Sequence, residues 1–122
     1  MEWKFTGDRP VYQQIMEQLR CAVLSGEFSP GAKIPAVRDL AMDAQVNPNT
    51  MQRALRELED EKLLITDSTS GRHVTDDPGV LDAIRQQQLS TLAAACMRQF
   101  AALGLSPTQA IKLLSEYAQR EE

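Results

Sequence analysis

Aromatic side chains are scarce in this chain, at 5% of its 122 residues. So few rings argue against an aromatic-lined ligand cavity and against a sheet that stacks unpaired bases. Histidine occurs once, at His73, with no second His and no Cys close in sequence. A metal site is therefore not expected, and His73 reads as a solvent-facing or phosphate-proximal side chain. Cys21 and Cys96 are the only cysteines and lie far apart, which fits free thiols in a reducing compartment. No apolar run approaches the roughly 20 residues that a membrane helix needs. The opening MEWKFTGDR has no signal-peptide core, so the expectation is a cytoplasmic protein without membrane contact. Gly-rich phosphate loops, a nucleophile elbow and Cys-x-x-Cys are all missing. Nothing recommends an enzyme, and no cofactor is expected.

An excess of positive charge is missing too. Lys and Arg number 13 against 17 Asp and Glu, a net charge of −4, and the whole excess falls before Pro78. A non-specific nucleic-acid binder should look basic. Any nucleic-acid contact must then rest on charge sorted by face. The length suits one domain, or one small domain with a helical appendage, and 43% hydrophobic residues can supply its core.

The most informative stretch is VNPNTMQRALREL, residues 46–58. Asn47 is a good helix N-cap, and Pro48 suits the first helical position. Met51, Ala54, Leu55 and Leu58 recur at i, i+3, i+4 and i+7 and make one apolar face. Asn49, Thr50, Gln52, Arg53 and Arg56 occupy the other. Those side chains are the types that read base edges in a major groove: Asn or Gln on adenine, Arg on guanine, Thr on either or on a thymine methyl. A plain solvated helix face would look similar, so the flanking sequence has to decide.

Residues 1–9 read as a short extended arm. Pro10 opens a first helix in which Tyr12, Ile15, Met16, Leu19, Ala22 and Val23 face inward, and Gly26 suits its C-terminal end. Phe28-Ser29-Pro30-Gly31 is a turn cluster, and residues 32–34 are long enough for one short strand. Pro35 at the first position predicts a second helix with Val37, Leu40 and Ala41 inward and Arg38 and Asp39 outward. A tight turn over 43–46 then leads to the Asn47 cap. Two short helices joined in this way make a helix-turn-helix. Leu63-Leu64-Ile65-Thr66 and His73-Val74-Thr75, separated by a turn-rich segment, read as a β-hairpin behind the second of them. That order is a winged helix-turn-helix. Glu57, Glu59, Asp60 and Glu61 cluster at the end of the recognition helix, where they read as a solvated end pointing away from phosphates.

The blocks RPVYQQIMEQLRCAVLSGEFSPGAKIPAVRDLA and VNPNTMQRALRELEDEKLL resemble the DNA-binding domain of GntR-family bacterial transcription regulators over roughly residues 9–74. The Asn-Pro-Asn-Thr cap looks most like the YtrA-type subfamily, whose members carry a short C-terminal extension. The resemblance implies that Arg38 reaches DNA from the second helix. It also implies that Asn47, Asn49, Thr50, Gln52 and Arg53 lie at the start of the recognition helix and Gly71 at the wing tip. Pro48 stands where other subfamilies often carry a base-contacting arginine, which shifts readout towards Gln52 and Arg53. Two departures stand out. Ala36 replaces the family's usual Ser, and the wing segment 67–74 has one basic residue and one glycine fewer and gains Asp67. Both imply a weaker wing and phosphate contact.

After a chain break expected at Pro78-Gly79, a long helix runs to about Leu103 with Leu89, Leu92, Ala93, Cys96, Phe100 and Leu103 on one face. Cys96 there reads as packing rather than redox chemistry. Ser106-Pro107-Thr108-Gln109 is a capping box that opens a last helix with Ala110, Ile111, Leu114, Tyr117 and Ala118 inward. Two antiparallel helices cannot bury both stripes alone, so a second copy is the economical cover. The alternative is a hairpin folded back on its own N-terminal domain.

The expected architecture is mainly α (α+β): a winged helix-turn-helix over 1–77, then an antiparallel two-helix dimerisation hairpin over 78–122. Its interface would use Leu89, Leu92, Cys96, Phe100, Leu103, Ile111, Leu114 and Tyr117. The expected function is a homodimeric, sequence-specific regulator, a repressor, on a near-palindromic duplex operator. A winged helix used for protein–protein contact is the alternative, which the net charge would suit. Such a module should present apolar residues where this chain shows Asn, Thr, Gln and Arg. Arg38, Arg53, Arg56 and Arg72 are expected on or near one surface. An effector is left open.

Overall fold

A computed structural model describes residues 1–69 and 71–121. Among these described residues, five helices and one two-stranded antiparallel sheet follow in the order α1 (Val11–Leu24), α2 (Val37–Ala44), α3 (Pro48–Asp60), β1 (Leu64–Asp67), β2 (Gly71–Val74), α4 (Pro78–Ala102) and α5 (Pro107–Glu121). The chain divides into two compact units, Met1–Ile84 and Arg85–Glu122.

The first unit is a winged helix-turn-helix built around α3, which packs against α1, α2 and β1. Met51, Ala54, Leu55 and Leu58 are fully buried, and Ile15, Leu19, Leu40, Leu63 and Val74 close the core around them. The four-residue rhythm of α3 thus meets three partners along one stripe, while its other side stays polar. The turn between α2 and α3 is tight because Gln45 adopts a left-handed conformation, φ 57° and ψ 46°, at the C-terminal cap of α2. Its N–H donates to Met42 O and the Val46 N–H to Ala41 O, which satisfies carbonyls that the helix end leaves open.

Helix α2 begins at Val37, two residues later than the proline signal predicts. Ala36 holds the N-cap position with φ −59° and ψ 150° and has no side-chain oxygen to offer the first turn. Serine there should accept one of the orphan N–H groups and stabilise the domain by about 1 kcal/mol. Urea unfolding of Ala36→Ser checks this, and an unchanged midpoint would count against the cap.

The wing pairs Leu64 with Val74, Ile65 with His73, Thr66 with Arg72 and Asp67 with Gly71. Residues 32–34, expected as a strand, join β2 through a single bridge, Lys33 to His73. Val74 N donates to Ala32 O, Ile34 N to Arg72 O and Gly31 N to Val74 O, so this short segment still covers the edge of β2. At the tip, Asp67 Oδ1 accepts from Thr69 N at 2.9 Å and from Thr69 Oγ1 at 3.0 Å. The added acid therefore closes the turn.

The arm is anchored rather than loose. Gln14, buried in α1, accepts from Thr6 N and donates to Thr6 O and Arg9 O, while Gln18 makes a two-way pair with the backbone of Lys4. Trp3 Nε1 donates to Asp43 Oδ2 at 2.8 Å, which ties the arm to α2.

Pro78-Gly79 opens the long helix directly. Asp77 Oδ1 accepts from Gly79 N at 2.9 Å and caps α4, Pro78 sits where a missing N–H costs nothing, and the helix runs on for 25 residues. Leu81 and Ile84, on its first turns, belong to the core of the first unit.

In the second unit Gly104, at φ 90°, ends α4. The capping box forms as the sequence predicts, with Ser106 N donating to Gln109 Oε1 and Gln109 N to Ser106 Oγ. Ala110 is buried, whereas Leu92, Leu103, Ile111 and Tyr117 are each more than half exposed. No helix among the described residues is long and apolar enough to cross a membrane.

Candidate nucleic-acid interface

The first turn of α3 is set by its cap. Asn47 Oδ1 accepts from Asn49 N at 2.7 Å, so Asn47 spends its side chain on the helix start. Asn49 is exposed, and Thr50 and Gln52 are half-buried. Asn49, Gln52, Arg53, Arg56, Glu57 and Asp60 line an open depression of about 420 Å³ on the outer face of the helix. Four hydrogen-bonding or cationic residues of the six thus share one concave surface at the N-terminal and middle turns of α3. Arg38 stands exposed on α2.

Electrostatics adjusts this picture. Arg53, 59% exposed, points its Nε at Glu57 Oε1, 3.8 Å away and one turn further on. Its guanidinium carbon also lies 3.6 Å from the centroid of the Tyr12 ring on α1. Arg72 of the wing donates to Glu59 of α3 at 2.5 Å, with both side chains largely screened from solvent. Arg20 of α1 makes a two-pronged pair with Glu61, the shorter contact 2.6 Å. Three of the four clustered acids at the end of α3 are therefore partners of arginines, not merely a solvated helix end. Arg38 and Arg56 make no ion pair among the described residues.

Gly71 opens β2 with φ 76°, a conformation that side chains rarely adopt, and Lys33 Cε lies 3.8 Å from where its Cβ would be. His73 is half-buried, with Nδ1 3.4 Å from Gly71 O and 3.9 Å from Asp67 Oδ2. Among the described residues no group of three or more His, Cys, Asp or Glu could hold a metal ion.

The candidate positions thus differ in what their side chains do. Arg38, Asn49, Gln52 and Arg53 present polar atoms outward, while Asn47 is engaged as a cap. Arg72 is turned onto α3 by Glu59, which leaves the wing with little available positive charge. In the second unit Leu89, Leu92, Leu103, Ile111, Leu114 and Tyr117 are exposed and Cys96 and Phe100 half-buried. No local signal points to Tyr12 beside Arg53, because the two meet only when α1 packs on α3.

Comparison with known proteins places this geometry. The family model for bacterial regulatory proteins, gntR family, matches residues 11–74. The HTH-type transcriptional regulator YhcF of Bacillus subtilis is 26% identical over 119 residues, covering 98% of each chain. The HTH-type transcriptional repressor YtrA of the same organism is 38% identical over 68 residues, 56% of this chain and 52% of its own length. Among solved structures, a GntR family transcriptional regulator from Listeria monocytogenes superposes with a TM-score of 0.85 at 27% identity, covering 92% of this chain and 98% of that one. The AraR DNA-binding domain in complex with operator ORX1 superposes at 0.56 with 26% identity, over 62% of this chain and 96% of that domain.

Proposed function

The chain belongs to the gntR family of bacterial regulatory proteins and is a DNA-binding transcriptional regulator of the YtrA type, and from that premise we propose a homodimeric repressor that reads a near-palindromic operator through α3. The observation that carries the reading is the exposed polar face of α3, with Asn49, Gln52, Arg53 and Arg56 around one depression. A protein-docking helix would instead need apolar residues there, and none lines that depression among the described residues. Relatives of this chain are named as transcriptional regulators, which agrees with a binding role rather than an enzymatic one.

Gln52 and Arg53 are the proposed base readers, with Asn49 and Thr50 beside them and Asn47 holding the helix start. Arg38 is assigned to phosphate, because α2 crosses the backbone in helix-turn-helix docking. Arg72 and Gly71 contribute little as long as Glu59 holds the arginine. The proposed domain division keeps DNA contact in the N-terminal region and dimerisation in α4 and α5, where Leu89, Leu92, Cys96, Phe100, Leu103, Ile111, Leu114 and Tyr117 need a cover. Two copies related by a twofold axis present two α3 helices to half-sites about one helical turn apart. The proposed compartment is the cytoplasm, where DNA is accessible.

Selection from a random-sequence duplex library, followed by titration of the enriched sequence, tests the reading. A near-palindrome should emerge. Gln52→Ala and Arg53→Ala should each cost about 1–3 kcal/mol on it and relax preference at one position per half-site. Arg38→Ala should instead weaken all duplexes alike and lower the slope of log K against log salt by about one. No enrichment, or wild-type selectivity in both α3 variants, would remove α3 from the reading role.

A further inference from the structure

Arg53 is the longest of the proposed base readers, yet it does not extend freely from α3. Its guanidinium carbon sits 3.6 Å from the centroid of the Tyr12 ring. Its Nε faces Glu57 at 3.8 Å. A guanidinium stacked on an aromatic face is attracted by the ring quadrupole and loses little hydration on doing so. Tyr12 is itself fixed, because it is half-buried against the hydrophobic core on the first turn of α1, the helix that packs on α3. Its hydroxyl accepts from Gln13 Nε2 at 3.2 Å. The ring therefore acts as a rigid shelf reaching from one helix to the reading face of another.

We propose that Tyr12 is a positioning residue for base readout: its ring preorganises the Arg53 guanidinium at the mouth of the α3 depression and so sharpens preference at one operator position. This rests on Arg53 reading a base. A long side chain that is already ordered loses less rotamer freedom when it makes a planar, two-pronged contact with guanine, so the shelf adds to discrimination and not only to affinity. Glu57, 3.8 Å from the Arg53 Nε, faces the same group. The ring, not the hydroxyl, is the working part of Tyr12.

The test uses the full chain and its selected operator, with a panel of duplexes substituted one base pair at a time. Tyr12→Leu removes the shelf and is expected to weaken operator binding by about 2- to 5-fold, the range for an exposed cation–π contact. The loss should concentrate at the base pair where Arg53→Ala loses preference. Tyr12→Phe keeps the ring and should retain the wild-type profile. In the Arg53→Ala background, Tyr12→Leu should cost nothing further, whereas a folding defect would cost the same in both backgrounds. A proton NMR spectrum of the wild-type protein adds a readout that needs no variant, since ring current should shift the Arg53 side-chain protons upfield before DNA is added. If Arg53→Ala leaves the panel unchanged, Arg53 is not a reader and the role of Tyr12 falls with it. If Arg53→Ala does change one position but the two losses simply add, the reading of Arg53 stands and the proposal alone is overturned. It is overturned likewise if Tyr12→Phe is as damaging as Tyr12→Leu, or if the upfield shift is absent.

Discussion

A chain cut after Ile84 is expected to remain a folded winged helix whose affinity for the operator is lower by two to four orders of magnitude. The folding half of this expectation follows from where the core lies. Apart from Ala110, every residue of the buried apolar set falls at or before Leu81, and Ile84 packs against that set. A cut at the Pro78-Gly79 signal would strip Leu81 and Ile84 away and confuse instability with lost pairing. The binding half follows from tethering. Once one half of a dimer is seated, the second meets its half-site at an effective concentration of roughly millimolar, which multiplies affinity about 10²- to 10⁴-fold without any new contact. A winged helix of net negative charge with its wing arginine occupied has little else to draw on. Fluorescence anisotropy titrations of both chains, together with sedimentation of the intact chain at micromolar concentration, decide the matter. Equal affinities, or a monomer mass for the intact protein, would end the dimeric reading. Ile111→Glu with Leu114→Glu in the full chain should reproduce the loss, because each puts a charge on a face that a second copy must dry.

Leu55→Ala should be the most damaging single change to the fold. Leu55 is fully buried on α3, the helix that touches α1, α2 and β1, so the void it leaves borders several elements and cannot collapse by moving one of them. Deletions of this kind cost about 2–5 kcal/mol, against a total of about 5–15 kcal/mol for a small domain. Operator binding should fall in proportion to the unfolded fraction, with no change in base preference. The control is Ile65→Ala on β1, where the side chain is already 37% exposed and the cost should stay within about 1 kcal/mol. Urea unfolding of the three proteins gives the comparison, and a Leu55→Ala loss no larger than that of Ile65→Ala would refute it.

Local signals in the sequence were reliable where the physics is local. The Asn47 cap, the Ser106 capping box, the left-handed glycines at 26 and 104 and the apolar stripe of α3 each depend on residues within a turn or two. The proline signals were ambiguous for the same reason. Pro35 precedes its helix by two residues, while Pro78 lies inside one, because a ring with fixed φ fits both a helix start and the extended approach to it. Long-range pairs left no trace in the sequence. Arg72 meets Glu59, Arg20 meets Glu61 and Trp3 meets Asp43 across 13 to 41 positions, and each depends on how whole elements pack. The candidate readers could be named from the helical pattern alone, but their constraints could not.

The acids at the end of α3 bear on how the protein finds its target. Glu59 holds Arg72 and Glu57 faces Arg53 at 3.8 Å, so two of the cations nearest the proposed DNA surface already have an acid beside them, and a random duplex must displace a carboxylate before it can engage Arg72. That exchange takes back part of the ionic attraction on which binding to any duplex rests. Encounters with the wrong sequence should then be brief. A chromosome offers on the order of 10⁶ or more competing sites, and a regulator that lingers on them is diluted by its own genome. Short stops leave more molecules searching at any moment, so a few copies per cell can keep one operator filled.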